Sequence, residues 1–190
     1  MEDEIIIVSG LPRSGTSLMM QMLDRGGIPV VTDNVRTADT DNPRGYYELE
    51  RVKTIKRDAS WLPGLKGKAV KIISQLLYEL PSNHKYRVIF MERDLDEVVP
   101  SQEKMLVRLG RTAAAGDVIK QQYTLHLDRL REWLGEQRYI EVLYVRYDDV
   151  MQRPAEQAER VSAFLEGRTD PARMIEAIDA SLYRNRHAVS

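Results

Sequence analysis

The opening 25 residues constrain the architecture more than any other stretch. Glu4 to Gly10 carry the apolar run Ile5-Ile6-Ile7-Val8, which reads as a strand buried on both faces. The loop GLPRSGTS (residues 10 to 17) follows, and then LMMQML sets Leu18, Met19, Met22 and Leu23 on one side of a helix over 16–25. Strand, glycine loop and helix form a unit that recurs along the chain. YRVIFM (86–91) leads through a polar turn into the helical DLDEVVPSQEKMLVRL, and YIEVLYVRY (139–147) leads into RPAEQAERVSAFLEG, a helix stopped by Gly167. Strands alternating with helices predict a three-layer α/β fold, a central parallel sheet flanked by helices, with ligands beyond the C-terminal strand edges.

The remaining text predicts a polar loop from Pro29 to Gly45 with a short strand at PVV, a helix from about Tyr47 to Ser60, and a strand at KAVKII. A long helix over 116–135 and a last one from Pro171 complete the set, and Pro100 predicts an irregular first turn in the helix after YRVIFM. At 190 residues, one domain spanning 1–190 is expected. The absence of cysteine excludes disulfides and thiol chemistry, and a net charge of −1 argues against nucleic-acid or anionic-membrane partners. Without a long apolar run, and with the acidic start MEDE, a cytoplasmic protein is expected.

The glycine loop departs from the phosphate-binding pattern G-x-x-x-x-G-K-[ST], because Thr16 stands where the lysine belongs and the cation of the loop is Arg13. Backbone N–H groups turned inward, together with the positive end of the helix, still make an anion cradle. In triphosphate-binding proteins the lysine reaches the terminal phosphates and a hydroxyl holds Mg²⁺; a sulfuryl donor carries less charge on the transferring group, so metal and lysine are less needed, while a cation near the bridging oxygen is still useful.

GLPRSGTSLMMQML resembles the loop that grips the 5′-phosphosulfate in sulfotransferases, above all the bacterial and tyrosylprotein-type members with Pro-Arg-Ser-Gly-Thr-[ST]; cytosolic members have lysine where this chain has Arg13. In VIFMERDLDEVVPSQ, Arg93 and Ser101 match the family's arginine at a strand end and the serine eight residues on. VRYDDV is similar to the R-Y-E-D segment, and MQRPAEQAERVSAFLEG to the helix that follows it. The resemblance runs from the first strand to about residue 167. It implies a P-loop nucleoside triphosphate hydrolase-like fold and 3′-phosphoadenosine 5′-phosphosulfate as co-substrate, with no metal required. It also implies sulfuryl transfer to a small-molecule or peptide acceptor by in-line displacement. Arg13 would stabilise the leaving oxygen, Ser14, Gly15, Thr16 and Ser17 would hold the 5′-phosphate, Arg93 and Ser101 the 3′-phosphate, and Tyr147 would lie near the adenine.

The general base is less apparent. His84 precedes a strand, His126 lies within a helix and His187 in the tail, none at a family position. The segment NPRGYYELE, similar to one in bacterial sulfotransferase-like proteins, offers Glu48 as first candidate and Asp33 precedes it as second; an acid there also suits a helix start. Lys68 and Lys71 read as solvated strand ends, and Trp61 and Trp133 as packing residues. Arg184 and Arg186 are candidates to close over the donor, although the cytosolic R-K-G-x-x-G-D motif is missing. Two other functions fit parts of the pattern: a kinase using Glu92 or Asp94 with Mg²⁺, and a non-catalytic nucleotide-binding module.

Overall fold

In a computed structural model, which describes residues 3–33, 35, 45–108, 110 and 115–178, the strands form one five-stranded sheet. In chain order the elements are β1 (Glu4–Gly10), α1 (Thr16–Arg25), β2 (Val30–Val31), β3 (Ala69–Lys71), β4 (Lys85–Glu92), α2 (Leu95–Arg108) and α3 (Gly116–Glu136). They continue with β5 (Ile140–Arg146), α4 (Tyr147–Gln152), α5 (Pro154–Phe164) and α6 (Pro171–Ile175). The strand order is β2-β3-β1-β4-β5 and every pairing is parallel. The fold is therefore the expected α/β P-loop arrangement.

Strand alternation divides the core into two halves. Ile6, Val8, Ile89, Met91 and Val145 face one way and pack with Met19, Met22 and Leu23 of α1, Val150 of α4, Val161 of α5 and Met174 of α6. Ile5, Ile7, Val88 and Phe90 face the other way, against Val52, Trp61, Leu62, Leu77 and Leu130 and Leu134 of α3. Trp61 and Trp133 pack in or against this second half, as expected. At the N-terminal edge, Arg87 ties β1, β5 and the end of α5 together: it reaches Glu4 at 2.6 Å, Glu141 at 3.5 Å and Glu166 at 2.5 Å.

The predicted helix from Tyr47 to Ser60 does not form. The chain has no regular structure over 45–49, then makes a 3-10 turn over Glu50–Thr54, and further 3-10 turns follow at Leu62–Leu65 and Ser74–Glu79. Tyr47, with φ 52°, cannot start a helix, and Asp58 diverts the backbone by accepting from the Ser60 N–H at 2.9 Å. Val52, Ile55, Trp61, Leu62 and Leu65 bury themselves from successive turns rather than from one helical stripe. Pro100 lies inside α2, past its first turn, and the helix runs on through it. Tyr147, expected to close β5, opens α4 instead.

Half-buried His126 on α3 bonds through Nε2 to Ser74 Oγ at 2.9 Å, and burial holds its pKa below the ordinary 6.5. The unfolded chain therefore takes up this proton first, so the stability His126 contributes is complete above pH 6.5 and is lost as pH falls toward its folded pKa. Thermal melts from pH 7.5 to 5 should show falling stability, and His126→Gln should flatten that part of the profile; an unchanged slope would remove His126 from the account.

Candidate active site

β1 delivers the glycine loop to the C-terminal edge of the sheet. Gly10 pairs with Met91 of β4 and Val8 with Lys71 of β3, so the ends of three strands converge there. Gly15 caps α1 with φ 98°, a conformation in which a Cβ would also come within 2.5 Å of Tyr147 Cδ2. No side chain caps this helix and no acid lies in its first turn, so its first amides face the cavity with the dipole's positive end. The Ser14 hydroxyl donates to the Leu11 carbonyl at 2.7 Å, and the Ser14 N–H bonds the same oxygen at 3.2 Å. Ser14 thus frames the loop without lining the cavity, unlike Arg13, Gly15, Thr16 and Ser17.

The cavity measures about 600 Å³, within the usual range for small-ligand sites. Among its described lining side chains six are cationic (Arg13, Lys53, Lys71, Arg93, Lys104, Arg108) and two acidic (Glu48, Glu50), although the whole chain is nearly neutral. Such a cleft focuses a positive field on an anionic ligand.

Arg93 and Ser101 do meet the loop. Arg13 Nε donates to Ser101 Oγ at 3.0 Å, and Arg93 Nη1 donates to the Arg13 carbonyl at 3.2 Å. Arg93 stacks over the Tyr147 ring at 4.3 Å and forms a buried ion pair with Glu97 at 2.8 Å, the two side chains being 9% and 5% exposed. Tyr147 itself is a neutral phenol: burial raises its pKa, a rise that the nearby Arg93 moderates. Glu97 drew no attention in the sequence, although an acid four residues after Arg93 shares its side of the helix start.

On the other side of the loop, Lys71 overturns the reading of a solvated strand end. Its side chain is 8% exposed, and Nζ donates to the Tyr46 carbonyl and lies 3.4 Å from Ser17 Oγ and 3.5 Å from Glu48 Oε1. Ser17 also donates to the Tyr46 carbonyl, at 3.3 Å. Glu48 is thereby held beside the loop. Its carbonyl accepts from Thr32 Oγ1 at 2.9 Å and from the Asp33 N–H at 3.2 Å. Asp33, the second candidate base, spends its carboxylate on the N–H groups of Glu50 (2.6 Å) and Val35 (3.0 Å), which lower its pKa, and it does not line the cavity. Lys68 keeps its surface role, donating to the Gly64 carbonyl.

His84 stacks edge-on with Tyr86, and His126 lies beside Ser74; neither lines the cavity. Glu92 pairs with Arg131 and Asp94 accepts from the Asp96 N–H, so the acids a kinase would need are engaged elsewhere. Arg184, Arg186 and His187 lie outside the described residues.

The Arg93–Glu97 pair makes a stability prediction. Removing one member of a buried ion pair costs about 3–5 kcal/mol, so Arg93→Ala should lower Tm by roughly 10 °C for a chain of this size. Arg93→Met combined with Glu97→Leu should recover most of it. Differential scanning fluorimetry would decide, and a melt of Arg93→Ala equal to wild type would show that the pair contributes nothing.

No curated protein sequence matches the chain. Among solved structures it is similar to the sulfotransferase domain from the Synechococcus PCC 7002 olefin synthase, with TM-score 0.58 and 14% identity over 94% of this chain and 85% of that one. The sulfotransferase domain from the curacin biosynthetic pathway gives 0.55 and 14%, over 93% and 78%. Mouse sulfotransferase SULT7A1 complexed with PAP gives 0.50 and 16%, over 95% of this chain and 63% of that one. At such identities the likeness speaks for the fold alone. The sequence model of the sulfotransferase domain, however, matches residues 3–187, and the chain belongs to the sulfotransferase domain family.

Proposed function

We propose that this protein transfers a sulfuryl group from 3′-phosphoadenosine 5′-phosphosulfate to a hydroxyl or amine of a small-molecule or peptide acceptor. The observation that carries this reading is the 3.0 Å hydrogen bond from Arg13 to Ser101, which joins the anion cradle of α1 to the Arg93 and Ser101 pair. Two anion positions side by side suit a nucleotide with phosphates on both the 3′ and 5′ carbons. A linear triphosphate would instead call for the missing loop lysine. The mouse structure, solved with PAP, supports the same donor.

In this mechanism the amides of Gly15, Thr16 and Ser17 and the hydroxyls of Thr16 and Ser17 hold the 5′-phosphosulfate. Arg93 and Ser101 hold the 3′-phosphate against Tyr147. The acceptor oxygen or nitrogen attacks sulfur in line, the bond between sulfur and the bridging oxygen breaks, and its electron pair leaves with adenosine 3′,5′-bisphosphate. Arg13 stabilises the charge growing on that oxygen. Lys71, against Ser17 on the opposite side of the loop, supplies a second cation where the sulfuryl group moves. Glu48, 3.5 Å from Lys71, takes the acceptor's proton.

Calorimetry should find metal-independent binding of adenosine 3′,5′-bisphosphate. Adenosine 5′-monophosphate should bind about 10- to 100-fold more weakly, since each charge-assisted contact is worth about 1.5–3 kcal/mol; Ser101→Ala should narrow that gap. Tighter binding of ATP with Mg²⁺ would overturn the donor assignment.

Lys71→Met and Glu48→Gln should each slow bisphosphate release from the donor, assayed against a panel of hydroxyl and amine acceptors, by about 10²–10³-fold. Their bisphosphate affinities should stay within about threefold of wild type, since both residues are placed to act on transfer rather than on donor binding. Wild-type turnover by either variant would strike that residue from the mechanism.

A further inference from the structure

Helix α1 contains one exception to its own pattern. Met19, Met20, Met22 and Leu23 are fully buried apolar residues, and Gln21 among them is only 8% exposed. Its carboxamide makes no hydrogen bond to another described residue, yet the side chain lines the cavity. An amide that opens onto a cavity and has no partner among the described residues is out of place in an apolar helical run, which leucine or methionine would continue. A polar group kept under such conditions is suited to a partner that arrives with a ligand.

Its surroundings indicate which part of a ligand that is. The cavity lining falls into two sets by sheet face: Leu49, Val52 and Leu76 belong with the α3 half of the core, whereas Leu18, Tyr147, Met151 and Ala177 belong with the α1 half, where Gln21 sits. Lys71 and Glu48 adjoin the first set, so the acceptor enters there. The second set is apolar beside Gln21, with Tyr147 as an aromatic wall; the other amide of the lining is Gln102 of α2, whose Oε1 is buried without a partner among the described residues. A nucleobase has the matching chemistry: two apolar faces that pack between side chains, and a polar edge with hydrogen-bonding groups in its plane.

We propose that Gln21 reads the base of the donor, its carbonyl accepting from the 6-amino group of adenine and its amide donating to the adjoining ring nitrogen. This rests on the donor reading above and adds a specificity-determining residue to it. The pairing is the bidentate one that glutamine and adenine make wherever the edge of the base is accessible.

The test is a thermodynamic cycle between residue and ligand. Binding of adenosine 3′,5′-bisphosphate and of purine riboside 3′,5′-bisphosphate, which lacks the 6-amino group, is measured by calorimetry for wild type and Gln21→Leu. Wild type should prefer the adenosine compound by about tenfold, the size of a good buried pairing, and Gln21→Leu should bind the two within about twofold of each other. Its Tm should equal or exceed that of wild type, because an unpartnered amide has been replaced by a side chain that packs. An equal preference in both proteins, or a sharply lower Tm with the preference intact, would make Gln21 a packing residue and overturn the inference while leaving the donor reading in place. If wild type binds neither bisphosphate, the donor reading fails and this inference with it.

Discussion

The site depends on the parallel pairing of β1 with strands on both sides. Because β3 and β4 run in the same direction as β1, all three end at one edge, and the glycine loop, Lys71 and Arg93 meet there although they are far apart in sequence. Burial enforces this register. Ile5 and Ile7 face one half of the core and Ile6 and Val8 the other, so a slip of one residue would exchange the two faces of the central strand. The sheet interior accommodates apolar side chains, and the charged groups collect where the strands stop.

Those charges are not left bare. Arg93 is too deeply buried to be stable without Glu97, and Lys71 is stabilised by the Tyr46 carbonyl and Glu48. The cavity thus holds these two cations in place with internal partners. An incoming anion gains pre-organised contacts with little rearrangement of Arg93, whose orientation is set by Glu97, by the Arg13 carbonyl and by the face of Tyr147. Pre-organisation of this kind is what makes donors and dipoles effective against a developing charge.

The sheet and α1 were legible because they follow from local signals, uninterrupted apolar runs and helical periodicity, whereas Arg93 and Ser101 were singled out only by resemblance to a family signature, and the structure brings both against the loop. The segment from Tyr47 to Ser60 was misread because its apolar residues are buried from successive 3-10 turns, and the left-handed Tyr47 leaves no composition signal of the kind glycine gives. Lys71 was misjudged because a lysine at a strand end is usually solvated; its burial comes from Tyr46 and Glu48, which no spacing rule connects to it. Gln21 had a visible signal, a lone amide in an apolar helical run, whose meaning required knowing that α1 borders the cavity. Ser14 matched the loop motif, but its hydroxyl is turned into the loop itself.

The Tyr46 carbonyl has a consequence for the order of events. It accepts from both Ser17 in the loop and Lys71 on β3, and the same short segment carries Glu48. Any ligand group that draws on Ser17 or Lys71 therefore competes with the contacts that pin the segment carrying Glu48. Under the proposed function the two substrates draw on one set of hydrogen bonds, so their affinities are linked, and whatever factor the first imposes on the second, the second must impose on the first.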